Sequence, residues 1–431
     1  VNDLETRAAV ARPGALRRAA PALLGYAAVR ALGLVVLALW SEARGKSAYT
    51  LLTARWDSLW YTRVAELGYG YEVRLPNGDV HSNLAFFPLL PWLERLAAAV
   101  SPLSPADGGF VVSLLASLAA AWGIFAVADH VHGRRAGVCA VLLWAVLPVG
   151  IVQSMAYSES LFTALAAWAL YAVLTGRWVT AGVLAGLAGL TRPVGLAVVA
   201  AVWAAGVVAF LRERGGPAPD GTSFVGGGSA LPGDGAREGG RAGTPAAGPR
   251  TGAPGGAPDG PGAPGVRLRR VAGMLLAPLG AAGYVLWVGH RTGNGLLGYL
   301  DVQAGWRNGF DGGYAFARFV AARFTSFPSA LAGVALLAGV GLVVWLYVLC
   351  VRQRQPLPLL VYAGVVTALA LCASSYFGSK PRLLMPAFPL LLPLALLLAR
   401  ARTHRLVRVV GAVAAASAVY GAFWLNGSGP P

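Results

Sequence analysis

The sequence predicts an all-α fold, a polytopic transmembrane helix bundle of about eleven spans, and three observations carry that reading. Apolar runs close to the length of a bilayer crossing recur along the 431 residues, joined by short polar connections. Only 12% of the residues are charged and 56% are hydrophobic, where a soluble domain carries roughly 25% charged residues. The arginines gather in alternate connections, as expected of loops retained on the cytoplasmic side.

Taken in order, the apolar runs lie near 20–41, 110–129, 136–153, 158–175, 178–191, 193–211, 268–290, 327–351, 357–376, 382–400 and 406–425. Arg7, Arg12, Arg17 and Arg18 precede the first run, which is too long for a signal-peptide core and reads as an uncleaved span behind a cytoplasmic segment 1–19. The positive-inside rule then keeps Arg134, Arg135, Arg177, Arg212, Arg214, Arg352, Arg354, Arg400, Arg402, Arg405 and Arg408 in the cytoplasm. It also leaves the first and fourth outer loops large, over 42–109 and 291–326. The runs on either side of Thr191-Arg192-Pro193 are short for a full crossing, which predicts tilted helices or a meeting point at a polar cavity. Residues 86–100 are apolar but hold Pro88 and Pro91 in a stretch too short to cross, so the segment is expected to be re-entrant or interfacial.

Residues 213–266 are rich in Gly, Pro and Ala and poor in large apolar side chains. Such a segment cannot bury enough surface to offset its ordering entropy. It is expected to be a disordered cytoplasmic linker between a first membrane half, 20–212, and a second, 267–431.

A net charge of +17 raises nucleic acid as a partner, but the basic residues are scattered between apolar blocks and form no continuous stripe. Anionic lipid headgroups account for them better. Lysine is confined to Lys46 and Lys380, which fits a GC-rich, actinobacterial genome, and Val1 fits a GTG start. Cys139, Cys350 and Cys372 lie in or beside apolar runs and read as packing residues. No His, Cys and carboxylate set has metal-ligand spacing, and no nucleotide-binding glycine pattern follows a strand, so neither metal nor cofactor is expected.

Ionisable residues at the ends of apolar helices are the first candidates for chemistry, because burying them is costly. The predicted outer side collects Arg55-Trp56-Asp57, Glu66, Gly68-Tyr69-Gly70-Tyr71-Glu72, Tyr157-Ser158-Glu159-Ser160, Thr191-Arg192-Pro193, Asp301-Val302-Gln303 and Ser379-Lys380-Pro381-Arg382. A carboxylate there suits a general base toward a sugar hydroxyl, and Asp57 is the first choice. Trp56 and Trp60 beside it suit stacking on a sugar ring or anchoring at the headgroup level. Glu66 and Glu72 share the same loop and are candidates for contact with an acceptor hydroxyl. Arg192, Lys380 and Arg382 suit a phosphate, or else anchor at the interface. Glu159 opens a helix, where the dipole favours a carboxylate in any case. Asp301, Gln303 and Trp306 are candidates for lining an acceptor groove, and His81 reads as a solvated loop histidine.

In that order, Arg55-Trp56-Asp57, Gly68-Tyr69-Gly70-Tyr71-Glu72, Phe86-Phe87-Pro88-Leu89-Leu90-Pro91, Tyr157-Ser158-Glu159-Ser160 and Thr191-Arg192-Pro193-Val194-Gly195 resemble the class V, second-mannose mannosyltransferases of glycosylphosphatidylinositol (GPI) assembly and their bacterial relatives. Arg382-Leu383-Leu384-Met385-Pro386-Ala387-Phe388-Pro389 resembles the start of that family's late helix. The likeness covers about residues 50–200 and 300–395. It departs where Pro193 and Val194 follow Arg192 in place of a small polar residue and Asn.

The resemblance implies a glycosyltransferase of the C superfamily: an inverting hexosyltransferase of the mannosyltransferase kind in the plasma membrane, acting on its extracytoplasmic face. It implies a polyprenyl-phosphate sugar donor, a lipid or glycan acceptor, and Asp57 as catalytic base. Two other readings stay open, a transporter or flippase of lipid-linked sugars and a polysaccharide polymerase or ligase of similar architecture.

Overall fold

The computed structural model describes residues 14–214, 264–374 and 376–427. Apart from one short hairpin and an isolated bridge, the regular structure of the described residues is helical, as the apolar runs predict. The linker expected over 213–266 lies outside the described residues except at its ends. Those ends are helical, which corrects the expected boundaries: α9 (Leu196–Arg214) runs up to it and α10 (Pro264–Leu276) leaves it. Glu213 joins them by accepting from Arg267 at 3.1 Å and Arg270 at 2.7 Å.

The first helix shows how sequence becomes a membrane element. In α1 (Ala15–Ala43) the buried positions are Ala19, Ala22, Tyr26, Arg30, Gly33, Leu37 and Ser41, a single stripe at helical spacing. Leu24, Leu32, Val35 and Leu39 face outward instead. An apolar side chain on the outside is stable only if the solvent there is lipid. The same inversion holds on α14 (Ser329–Arg352), where Leu331, Leu337, Val344 and Trp345 are exposed.

Among the described residues six helices are long and apolar enough to cross a membrane: α1, α5 (Pro105–His132), α9 with its 3₁₀ entry from Pro193, α10 continued into α11 (Leu279–Thr292), α14, and α18 (Thr403–Leu425). A pair bent by 76°, Phe377–Leu384 and Phe388–Arg400, would make a seventh. The remaining expected spans are helical but short: α6 (Arg134–Ala145), α7 (Ser158–Leu174), α8 (Trp178–Gly189) and α15 (Leu357–Cys372). Eleven full crossings are therefore more than helix length supports. A 12-residue helix rises about 18 Å against a hydrocarbon core of about 30 Å. A 3₁₀ segment, Gly150–Ser154, and the bend that follows it lead from α6 toward α7, and Gly150–Tyr157 is buried throughout.

Close packing depends on small residues where α8 meets α10 and α11. A Cβ on Gly182 would strike the Gly273 carbonyl, and one on Gly280 would strike the carbonyl of Gly186. Backbones in such direct contact gain the dispersion energy that holds helices together in lipid, where the hydrophobic effect is absent.

The first predicted outer loop folds into α2 (Ala48–Thr53), α3 (Asp57–Leu67), the antiparallel strands β1 (Glu72–Arg74) and β2 (Val80–Ser82), and α4 (Leu89–Val100). Helix α4 buries Leu90, Pro91 and Glu94 and exposes Trp92, Leu96 and Val100, so the segment 86–100 contains a two-faced helix too short to cross a bilayer. The fourth loop adds α12 (Gly298–Gly305) and α13 (Tyr314–Ala321) and packs onto the first. Trp306 donates to the Ser82 carbonyl at 3.0 Å, Tyr284 to the Leu84 and Phe86 carbonyls at 2.9 and 2.8 Å, and Arg307 pairs with Asp79 at 2.6 Å.

Candidate functional site

Four of the charged residues singled out from the sequence form one connected ionic cluster. Asp57 is the first residue of α3 and accepts from Arg382 Nη1 at 2.8 Å. Arg382, in α16 (Lys380–Leu384), also faces Glu159, with Nε 3.3 Å from Oε1. Glu159 pairs in turn with Arg192. Residues 57, 159, 192 and 382 thus meet although α3, α7, the Thr191–Pro193 turn and α16 are far apart in the chain.

Local structure explains why they meet. Both carboxylates stand in the first turn of a helix, where free N–H groups favour negative charge. Trp56 precedes α3 with φ +52°, a conformation that costs a bulky residue on the order of 1–2 kcal/mol. The turn is held by Arg55, whose guanidinium covers the Trp56 ring at 4.0 Å and donates to the Leu425 carbonyl at 2.9 Å. Tyr157 supplies a ring 5.1 Å from the Arg382 guanidinium, and the Tyr61 hydroxyl meets Ser158 Oγ at 2.7 Å.

Two carboxylates and two guanidiniums make the cluster formally neutral, as a buried arrangement requires. Its members differ in access. The side chain of Glu159 is 1% exposed, those of Arg382 and Arg192 are 9% and 14%, and that of Asp57 is 26%. Asp57 is therefore the carboxylate a substrate can reach, while Glu159 holds both arginines from inside.

The other sequence candidates lie elsewhere. Glu66 and Glu72 are exposed, on α3 and β1 respectively. Trp56 is occupied by Arg55, and the tryptophan one turn further along α3, Trp60, enters the aromatic joint between the loops 42–109 and 291–326. Gln303 is engaged within its own loop and with the loop 42–109: it donates to Tyr299 at 2.6 Å and to the Ala85 carbonyl at 3.4 Å, and accepts from Asn308 at 3.0 Å. Lys380 is buried and donates to the carbonyls of Ala370, at 2.7 Å, and Ala373, closing the end of α15 between the Phe316 and Phe377 rings. An ammonium so occupied completes a helix terminus and does not face the cluster.

Two features escaped sequence reading. The joint of Trp60, Tyr71, Phe86, Trp306 and His81 is built from both loops, 42–109 and 291–326, with ring centroids 4.0 to 5.8 Å apart. The spacing of Asp57, Trp60 and Tyr61, which puts all three on one helix face, was its available signal. The other is a groove of about 650 Å³ between α4, α8 and α11, lined by Tyr69, Trp92, Leu187, Leu190, Tyr284 and Trp287 among others. Leu190 lies two residues before Arg192 in the chain, and its carbonyl accepts from the Leu89 amide at 3.0 Å.

Comparison with known proteins adds an independent line. A family model described as dolichyl-phosphate-mannose-protein mannosyltransferase matches residues 83–214. GPI alpha-1,6-mannosyltransferase 2 of Rattus norvegicus is 33% identical over 153 residues, and that of Mus musculus 31% over 155; each match takes in 33% of this chain and 29% of the relative. The resemblance read from the ordered motifs is thereby shown, over less than a third of those relatives' length.

Among solved structures, ArnT from Cupriavidus metallidurans bound to undecaprenyl phosphate aligns over 90% of this chain and 63% of its own, with a TM-score of 0.49 and 13% identity. The Archaeoglobus fulgidus oligosaccharyltransferase in its apo form aligns over 93% of this chain and 55% of its own, with a TM-score of 0.43 and 14% identity.

Proposed function

We propose that the protein is a membrane glycosyltransferase of the C superfamily that moves a sugar, mannose, from a polyprenyl-phosphate donor to a lipid or glycan acceptor at the extracytoplasmic face of the plasma membrane. The observation that carries this reading is the Asp57 carboxylate, 26% exposed and held by the buried Arg382 guanidinium. The mannosyltransferase relatives support the sugar, and the groove supports a lipid-borne donor.

The reaction follows from the charges. Asp57 takes the proton of an acceptor hydroxyl as that oxygen attacks the anomeric carbon. The bond from that carbon to the phosphate oxygen breaks, the electron pair leaves on the phosphate, and one displacement inverts the centre. Once protonated, Asp57 no longer balances Arg382, so the cluster passes from neutral to +1 as charge grows on the leaving group. Arg382 then serves that phosphate, while Arg192 remains with Glu159 and keeps the site assembled. No metal or cofactor is required for this sequence of steps.

Membranes containing the protein, incubated with polyprenyl-phosphate [³H]mannose and candidate lipid acceptors, should yield labelled acceptor and free polyprenyl phosphate. Uptake of an intact solute by proteoliposomes, with no new glycosidic bond, would replace this reading with a transporter.

A further inference from the structure

The aromatic joint beside Asp57 has a composition that holding two loops together does not explain. Trp60 lies three residues after Asp57 on α3, so both face the same way about one helical turn apart. Its ring packs parallel to Phe86 at 5.6 Å and meets Trp306 edge-on at 4.9 Å. His81 stacks on Trp306 at 4.0 Å with 12° between the planes. Trp60, Tyr71, His81, Phe86 and Trp306 are all partly exposed, where a purely structural joint would close over its rings.

His81 is the informative member. Its ring nitrogens have no hydrogen-bond partner among the described residues, while the neighbouring polar groups are occupied. Asp79 is paired with Arg307, and the Trp306 indole donates to the Ser82 carbonyl. Burial against Trp306 pushes the imidazole below its ordinary value, with the Asp79 charge opposing. The neutral ring offers one donor and one acceptor.

We propose that His81, Trp306 and Trp60 form the acceptor subsite and take a pyranose ring. Its apolar C–H face lies on indole and its hydroxyl edge meets the imidazole. The sugar is then held one helical turn from Asp57, which places its next hydroxyl at the carboxylate. This deepens the glycosyl-transfer reading and rests on it for the word acceptor, but saccharide binding itself needs no donor and is measured separately.

The full chain in lipid nanodiscs is titrated with methyl α-D-mannopyranoside, methyl α-D-glucopyranoside and methyl β-D-galactopyranoside while tryptophan emission is followed. At least one glycoside should give a saturable change. Its affinity should fall about tenfold in Trp306→Phe and His81→Ala, a loss the size of one hydrogen bond or ring contact. His81→Asn, which keeps a donor and an acceptor, should retain most of it, and the lipid-facing Trp345→Phe should titrate as wild type.

Absence of a saturable change with every glycoside overturns the subsite, as do wild-type titrations of folded Trp306→Phe and His81→Ala. Saccharide binding without transfer from any donor would keep the subsite and remove the transferase reading. Transfer with an unchanged acceptor KM in Trp306→Phe would do the reverse.

Discussion

Replacing Glu159 by Gln is the most demanding perturbation of the ionic cluster. The carboxylate is 1% exposed and faces both Arg192 and Arg382, so the isosteric amide turns a neutral group of four into one carrying +1, with the lost charge at its most buried point. Removing one partner of a buried pair costs about 3–5 kcal/mol, a large share of a total stability of about 5–15 kcal/mol. Removing both charges together, as Glu159→Leu with Arg192→Met, leaves Asp57 and Arg382 balanced and should recover much of that loss. The coupling between the two sites should therefore exceed about 2 kcal/mol, well beyond the additivity error of independent positions. The assay is equilibrium unfolding in mixed micelles of the single and double variants of this cycle. A Glu159→Gln protein as stable as wild type, or a double variant that loses the sum of its singles, would refute the claim that this carboxylate holds the arginines.

Other consequences are equally direct. Glu94 is buried on α4 with neither oxygen hydrogen-bonded among the described residues, and burial, aided by Glu66, raises its pKa well above the ordinary 4.5. The native state therefore binds a proton that the unfolded chain releases, and stability falls by up to about 1.4 kcal/mol per pH unit above that value. Glu94→Gln should melt higher than wild type at pH 7 and like it at pH 4. Lys380→Met should cost about 1–3 kcal/mol, because two carbonyls at the end of α15 lose their donor, with donor KM unchanged at equal folded protein. Gly280→Val should lower the melting temperature by several degrees by pushing α11 off the Gly186 carbonyl, a clash costing about 1–3 kcal/mol or more.

The bundle was legible because the cost of exposing apolar surface to water is paid residue by residue, so composition reports it. Helix length was less so. Hydropathy marks where apolar residues run but not where an α-helix gives way to 3₁₀ turns, as at Gly150–Ser154, which stays buried with Gln153 and Ser154 inside it. The ionic cluster was legible in its membership, since few charges sit at the ends of apolar runs and each must be balanced. Its pairing was not, because Asp57 and Arg382 are brought together only by the packing of distant elements.

The placement of the other candidates follows the same logic. Lys380 and Arg382 look alike in sequence, yet two residues along a helix turn a side chain through about 200°, and one reaches the cluster while the other reaches the carbonyls of α15. Trp56 and Trp60 both flank Asp57, but only Trp60 shares its helix face. The hydrogen bonds of Gln303 were not legible, because loop composition does not say which polar groups are satisfied internally. Its partners are Tyr299 and Asn308 in the same loop and Ala85 in the loop 42–109.

The proposed chemistry stands on Asp57 most of all. Transfer of labelled mannose from polyprenyl phosphate by the Asp57→Asn protein, compared with wild type at equal folded protein and saturating donor, tests it directly. Loss of a general base predicts a rate lower by about 10²–10⁴-fold with donor binding retained. Transfer at the wild-type rate would contradict it.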